Sequence, residues 1–186
     1  MHLFHYHLVT SMVREVEARY LAKLGFHLIA RHGRVGEDIT SFESGHGWQE
    51  LDQMGFKLRL TELERGAVNV VVQPGQWEVP RVDHLGFALE EDEFVSTLAR
   101  AEVRELRIQV HGGRRTFVST NAGYRLELHP PREWLTELLE SESELRLGEL
   151  LAMPYTDSTV EIGETTVRFI PEGPPGRPQL HAELFV

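Results

Sequence analysis

His7, His84 and Glu127 are two imidazoles and a carboxylate, and each falls in a stretch that reads as a β-strand. That donor set suits Fe(II) or Mn(II), held on one side with positions left open for water or substrate. Zn(II) accepts the same ligands. In such a site the carboxylate is ionised, the rings are neutral, and an acceptor behind each ring fixes its orientation. His5 lies two residues before His7 on the same strand face and is the rival ligand. Two more side chains can act beside the donors. His111, in "VHGGRR", is a candidate general base. Arg115 is a candidate clamp for a substrate carboxylate or phosphate. Each has an ordinary alternative: a plain loop histidine, and one half of an exposed pair with Arg114.

The strands that must carry these groups are legible from alternation, because side chains two apart share a face. In "LFHYHLVT" (3–10), Phe4, Tyr6 and Leu8 form one side, and His5, His7 and Val9 the other. In "VDHLGFAL" (82–89), Leu85, Phe87 and Leu89 form an apolar side and leave His84, Gly86 and Ala88 on a side with room for a ring. "RTFVST" and "YRLEL" read as a hairpin about "NAG" (121–123), a turn that pairs Phe117 with Glu127 and Arg115 with His129. Arg115, Phe117, Ser119, Arg125, Glu127 and His129 then share one face.

"SMVREVEARYLAKLGF" (11–26) predicts a helix capped by Ser11 and stopped by Gly25, and "EEDEFVSTLARAE" (90–102) predicts another. Further strands are expected at 26–31, 56–63, 67–73 and 106–110. Residues 33–55, with five glycines, read as an insertion and a candidate lid carrying Phe42, His46 and Trp48. Tyr20, Phe26, Phe94 and the run Val70 to Val72 are expected in the core. One strand-helix-three-strand order thus occurs twice, which points to a duplicated module. The expected fold is α+β, with two tandem βαβββ modules forming a curled mixed sheet around a cleft. The expected domains are a first module at 1–72, a linker at 73–80, a second module at 81–131, and an extension at 132–186. Within the extension, 132–152 predicts a helix, 158–169 a hairpin about Gly163 and Glu164, and 179–186 a last strand holding His181. Superposing the modules pairs His7 with His84 and Val71 with Glu127, so one copy alone has the carboxylate.

Composition narrows the partners. There is no Cys among the 186 residues, which removes disulfides, thiolate nucleophiles and Cys-type zinc sites. The formal net charge of -10 repels phosphate backbones and anionic membranes, so neither nucleic acid nor membrane is an expected partner. A small-molecule substrate is. No run of about 18 apolar residues and no basic-then-apolar leader occurs, and the protein is expected to be cytoplasmic and unprocessed.

"YHLVT" with "LGF" in the first module, "VDHLGFAL" in the second and "TNAGYRLELHPP", similar to a "DPDGNRIEL" ending, resemble the vicinal oxygen chelate superfamily. That superfamily includes glyoxalase I, extradiol dioxygenases, fosfomycin-resistance enzymes and bleomycin-binding proteins. The resemblance covers residues 2–131. It implies a divalent metal held by first-strand histidines and a last-strand carboxylate, here His7, His84 and Glu127, with Fe(II) or Mn(II) favoured and Zn(II) or Ni(II) as alternatives. The implied function is that of a metal-dependent enzyme of the glyoxalase or dioxygenase type, acting on a small oxygen-chelating substrate. A metal-free binding or sequestration protein of the bleomycin-resistance type is the alternative. Phe117 stands where the dioxygenases carry a Tyr, Asn121 replaces their turn Pro, and Val71 stands where glyoxalase I has a carboxylate. A homodimer fits this architecture without being required by it.

Overall fold

The computed structural model describes residues 2–66, 68–78, 80–111, 115–120, 125–130, 158–162 and 165–169. The "NAG" turn, Arg114, the expected helix at 132–152, the strand at 179–186 and His181 lie outside the described residues. The chain divides into two compact units, one of residues 7–80, the other of residues 2–6 together with the chain from 81 onward. The first strand, β1 (His2–Thr10), passes from the one into the other. Its alternation holds, with Phe4, Tyr6, Leu8 and Thr10 buried and His5, His7 and Val9 half-buried.

In the unit of residues 7–80, α1 (Val13–Lys23) follows β1. Its cap is not the Ser11 hydroxyl. Thr10 Oγ1 accepts the Met12 N–H at 3.1 Å and lies 2.9 Å from the Trp77 carbonyl oxygen, while the Ser11 N–H donates to that same oxygen. The backbone of Ser11 is thus committed to the chain ahead of the second unit, and the N-cap position falls at Met12, without a side-chain cap bond. α1 buries Val13, Glu17 and Tyr20, an i, i+4, i+7 stripe with a carboxylate in its middle. It ends before Gly25, whose φ of +70° suits glycine, and Arg65 Nη1 donates to the freed Leu24 carbonyl at 2.7 Å.

Residues 33–55 are ordered into elements rather than a long insertion. β2 (His27–Val35) runs past the expected end, turns at Gly36 (φ +60°) and pairs antiparallel with β3 (Asp38–Glu43). α2 (Trp48–Gln53) follows, then β4 (Phe56–Arg65) and β5 (Val68–Pro74). The strand order is β3-β2-β4-β5, antiparallel at each pairing. Gly33 is required by close approach, since a Cβ there would meet the Lys57 carbonyl oxygen at 2.2 Å and the Phe56 ring at 2.6 Å.

Trp48 is fixed rather than lid-like. Its indole N–H donates to Glu17 Oε1 at 2.9 Å, and the guanidinium carbons of Arg14 and Arg31 each lie 4.4 Å from its ring centroid. Glu17 also accepts two bonds from Arg31 (3.0 and 2.5 Å) and one from Thr61 (2.9 Å). A buried ion pair is tolerated here because every oxygen and most of the guanidinium are hydrogen-bonded.

In the other unit, β6 (Arg81–Ala88), α3 (Glu91–Val103), β7 (Ile108–His111), β8 (Arg115–Ser119) and β9 (Arg125–His129) follow in turn. β6 and β9 are parallel, β9–β8 and β8–β7 antiparallel, so this sheet is mixed. α3 carries Glu91, Asp92 and Glu93 in its first turn and Arg100 in its last, a charge order that complements the helix dipole. Leu85, Phe87, Leu126 and Leu128 are fully buried, each worth about 1.5–3 kcal/mol of apolar burial. Phe94 is half-buried on α3 rather than in the core, because Thr97 and Ala101 occupy the buried face. β10 (Ser158–Ile162) and β11 (Thr165–Phe169) form the expected hairpin, with Ile162 opposite Thr165.

Candidate metal centre

The parallel pairing of β6 with β9 sets Gly86 opposite Glu127 and His84 opposite Arg125, while β8 sets Phe117 opposite Glu127. Phe117 therefore takes the partner that the hairpin register predicts. Gly86 opens the space that the site needs. A Cβ on Gly86 would stand 2.9 Å from His5 Cβ and 3.3 Å from the His5 carbonyl oxygen. With hydrogen there instead, β1 closes on β6 and the His5 ring reaches His84.

Donor atoms from β1 and β9 both approach His84. His5 Nε2 lies 3.2 Å from His84 Nε2, which in turn lies 3.0 Å from Glu127 Oε2. Ligand atoms at right angles on a divalent ion, with bonds of about 2.1 Å, are about 3.0 Å apart; tetrahedral ligands stand slightly further apart, about 3.4 Å. Each of these two separations falls in that interval, so the spacing of His84 from His5 and from Glu127 is compatible with a shared ion.

The atoms behind the donors are also assigned. His84 Nδ1 lies 2.7 Å from Asp83 Oδ2, and Asp83 is held in turn by Arg125 Nη2. A carboxylate on Nδ1 keeps the proton there and leaves the Nε2 lone pair facing the donors. Glu127 Oε1 lies 2.9 Å from His129 Nε2 and accepts from Arg115 Nη1 at 3.4 Å, so Oε2 is the oxygen left for a ligand bond. Phe4 stands edge-on to His129 (5.1 Å) and Phe117 edge-on to His84 (5.3 Å), shielding the polar groups with rings.

Charge follows from this contact list. Burial disfavours the ionised form of Glu127, but hydrogen bonds from His129 and His84 outweigh it and hold the carboxyl well below its ordinary range. Burial acts likewise on Asp83, and the His84 hydrogen bond and the Arg125 charge outweigh it in the same direction. For His84, burial opposes protonation, yet hydrogen bonds to Asp83 and Glu127 leave its pKa raised. Without a metal, the two flanking carboxylates thus favour the protonated form of His84 more than water does. An ion at the centre takes the place of that proton.

His84 and Glu127, expected from sequence to meet, do so. The imidazole that joins them within this unit is that of His5, the rival to His7; His7 is half-buried on the same side of β1, where the strand enters the other unit. Arg115 is 56% exposed at its side chain and reaches Glu127. His111 is exposed at the end of β7, with its ring 5.5 Å from Phe117. Sequence reasoning gave no role to Asp83 or Arg125. The signal for Asp83 was its place directly before a candidate ligand. Arg125 had been placed on the Glu127 face, but its partner Asp83 lies 42 residues upstream.

No family model matches the chain, and no curated protein matches it by sequence. Among solved structures it is similar to a Mn(II)-bound glyoxalase from Novosphingobium aromaticivorans, at 11% identity and TM-score 0.44, covering 69% of this chain and 38% of that one. It is similar to a mutant of 4-hydroxymandelate synthase from Streptomyces coelicolor, at 17% identity and TM-score 0.47, covering 91% and 58%. It is also similar to a 2,3-dioxygenase from Pseudomonas sp. KL28, at 16% identity and TM-score 0.45, covering 69% and 42%. This chain therefore spans 38% to 58% of the length of those proteins. The structures matched include glyoxalase, extradiol dioxygenase, fosfomycin-resistance and methylmalonyl-CoA epimerase proteins, all of the vicinal oxygen chelate superfamily, the one the sequence resembles. At these scores the likeness carries none of the chemistry that follows, which rests on the side chains of this chain.

Proposed function

We propose that His5, His84 and Glu127 hold a divalent metal ion, Mn(II) or Fe(II), and that the protein is an enzyme acting on a small molecule that offers two adjacent oxygens. The spacing of the donor atoms, 3.2 and 3.0 Å about His84 Nε2, carries this reading. When bound, such an ion supplies a Lewis acid that polarises substrate oxygens. The remaining work belongs to the chain. Asp83 keeps the His84 proton on Nδ1, His129 and Arg115 steady Glu127 Oε1, and Phe4 and Phe117 exclude water from the donors. His111, exposed at the end of β7 with its ring 5.5 Å from that of Phe117, is the group available to exchange a proton with substrate.

One observation favours a metal-free binding protein instead. Asp83 and Glu127 flank His84 at 2.7 and 3.0 Å and favour its protonated form, so the three groups can satisfy one another without an ion. Metal analysis of protein purified without added metal, beside the His84→Ala, His5→Ala and His7→Ala variants, separates the two. Stoichiometric metal that is lost with His84 or His5 and kept without His7 is the expected result. A folded wild type that takes up no Mn(II) or Fe(II) at micromolar concentration removes the enzyme reading, and loss with His7 rather than His5 changes the ligand set.

A further inference from the structure

We infer that the substrate of this centre is an acid, carrying a carboxylate a few bonds from the oxygens offered to the metal, and that Arg115 receives that carboxylate. The inference rests on the metal-centre reading and adds a substrate class to it. Its basis is the unequal commitment of the arginines. Arg31 gives Glu17 a paired contact, and Arg14 does the same for Asp52. Arg125 is bound to Asp83 and lies over the Phe117 ring, its carbon 5.0 Å from the centroid. Arg115 makes a single long contact, 3.4 Å from Nη1 to Glu127 Oε1, with its side chain 56% exposed. A guanidinium has five N–H donors in a planar fork, so most of the Arg115 fork is unspent among the described residues.

The charges at the centre point the same way. Asp83 and Glu127 are matched by Arg125 and Arg115, and the imidazoles are neutral once they ligate. The double charge of a bound ion is then surplus, in a chain whose net charge is otherwise -10. A substrate carboxylate offsets half of that surplus, which the same substrate without it does not. Arg115 touches the oxygen of Glu127 that faces away from His84, so its fork stands one carboxylate's width from the donors. Phe117, two residues along the same strand, is buried, with Arg125 over its ring and His84 edge-on to it, so the exposed Arg115 is the group left facing a substrate.

The test uses three probes on the Mn(II)-loaded full chain under anaerobic conditions: catechol, 3,4-dihydroxybenzoate and 3,4-dihydroxybenzamide. All three offer the same hydroxyl pair, and the last two are near-isosteres that differ in charge and in one acceptor exchanged for a donor. Calorimetry is expected to show the acid binding about ten- to hundredfold tighter than the amide, the range of a charge-assisted hydrogen bond. At saturating Mn(II), Arg115→Gln is expected to bind acid and amide within about twofold of each other, whatever the change in its metal and catechol affinity, and Arg115→Lys to regain part of the preference. Equal binding of acid and amide by the wild type, or an undiminished preference in Arg115→Gln, overturns the inference and leaves the metal centre standing. Failure of the wild type to load Mn(II) overturns the centre, and the substrate class with it.

Discussion

Replacing Asp83 by Asn perturbs the proposed centre without removing a donor atom. Asn keeps an oxygen where Asp83 Oδ2 stands 2.7 Å from His84 Nδ1, so the ring can stay oriented, but the negative charge that raises ligand basicity is gone. Loss of a group behind a metal-bound imidazole weakens metal affinity about 10–100-fold. The Asp83 side chain is 35% exposed, so solvent screens part of its charge and the lower end, about tenfold or about 1.4 kcal/mol, is expected for Asn. Asp83→Ala removes orientation as well and should approach a hundredfold. At Mn(II) equal to 100 times the wild-type Kd, binding stabilises the wild type by about 2.7 kcal/mol and a tenfold-weaker variant by about 1.4. For a chain of this size, that is a metal-induced Tm increase of about 5–11 °C falling to about 3–6 °C. Competition against a fluorescent chelator gives the Kd, and thermal unfolding with and without Mn(II) gives the Tm increase. If Asp83→Asn and Asp83→Ala both bind Mn(II) as the wild type does, Asp83 does not act through His84 and the orientation argument fails.

Four further outcomes follow from particular contacts. Gly86→Ala places a Cβ 2.9 Å from His5 Cβ, so β1 must back away from β6, and Mn(II) affinity is expected to fall at least tenfold even if the variant stays folded; titration against the chelator reads this directly. Metal-free protein should have its highest Tm between about pH 4.5 and 6.5. The lowered pKa values of Asp83 and Glu127 give stability that is present above their ordinary values of 3.8 and 4.5 and lost only in stronger acid. The raised pKa of His84 gives stability that is present below 6.5 and lost as pH rises through the folded value. Mn(II) displaces that proton, so its affinity should rise over the same alkaline range; a Tm series in EDTA and in Mn(II) that shows parallel profiles would contradict the assignment. Glu17→Gln strands the Arg31 charge, with both side chains at most 6% exposed, and should cost about 3–5 kcal/mol, whereas Glu17→Leu with Arg31→Met should cost much less in urea unfolding.

Legibility differed between the two units for a physical reason. Alternation along β1 was read correctly because a strand's two faces are a property of neighbouring residues, whatever they later pack against, whereas β6 is buried on both faces from His84 to Ala88. The pairing of Phe117 with Glu127 was read from a hairpin, where a short turn fixes register locally. Residues 33–55 resisted. Their glycines suggested a loop, yet Gly36 makes the turn of a β2–β3 hairpin and Gly33 lets the Phe56 ring fold across the strand, which only the facing strand reveals. Glu17 was hidden in the apolar stripe of α1, since its partners Arg31, Trp48 and Thr61 come from three other elements.

By itself the sequence determined the residue types at the candidate centre, the strand faces that present them, the absence of thiol chemistry and the acidic balance. The tertiary structure decided that His5 comes within 3.2 Å of His84, that Asp83 and Arg125 stand behind His84, and that Glu127 turns one oxygen toward His129 and the other toward His84. Those choices depend on contacts between β1, β6 and β9, strands far apart in the chain. Local periodicity specifies which way a side chain points; it carries no information about what the other strand brings to meet it.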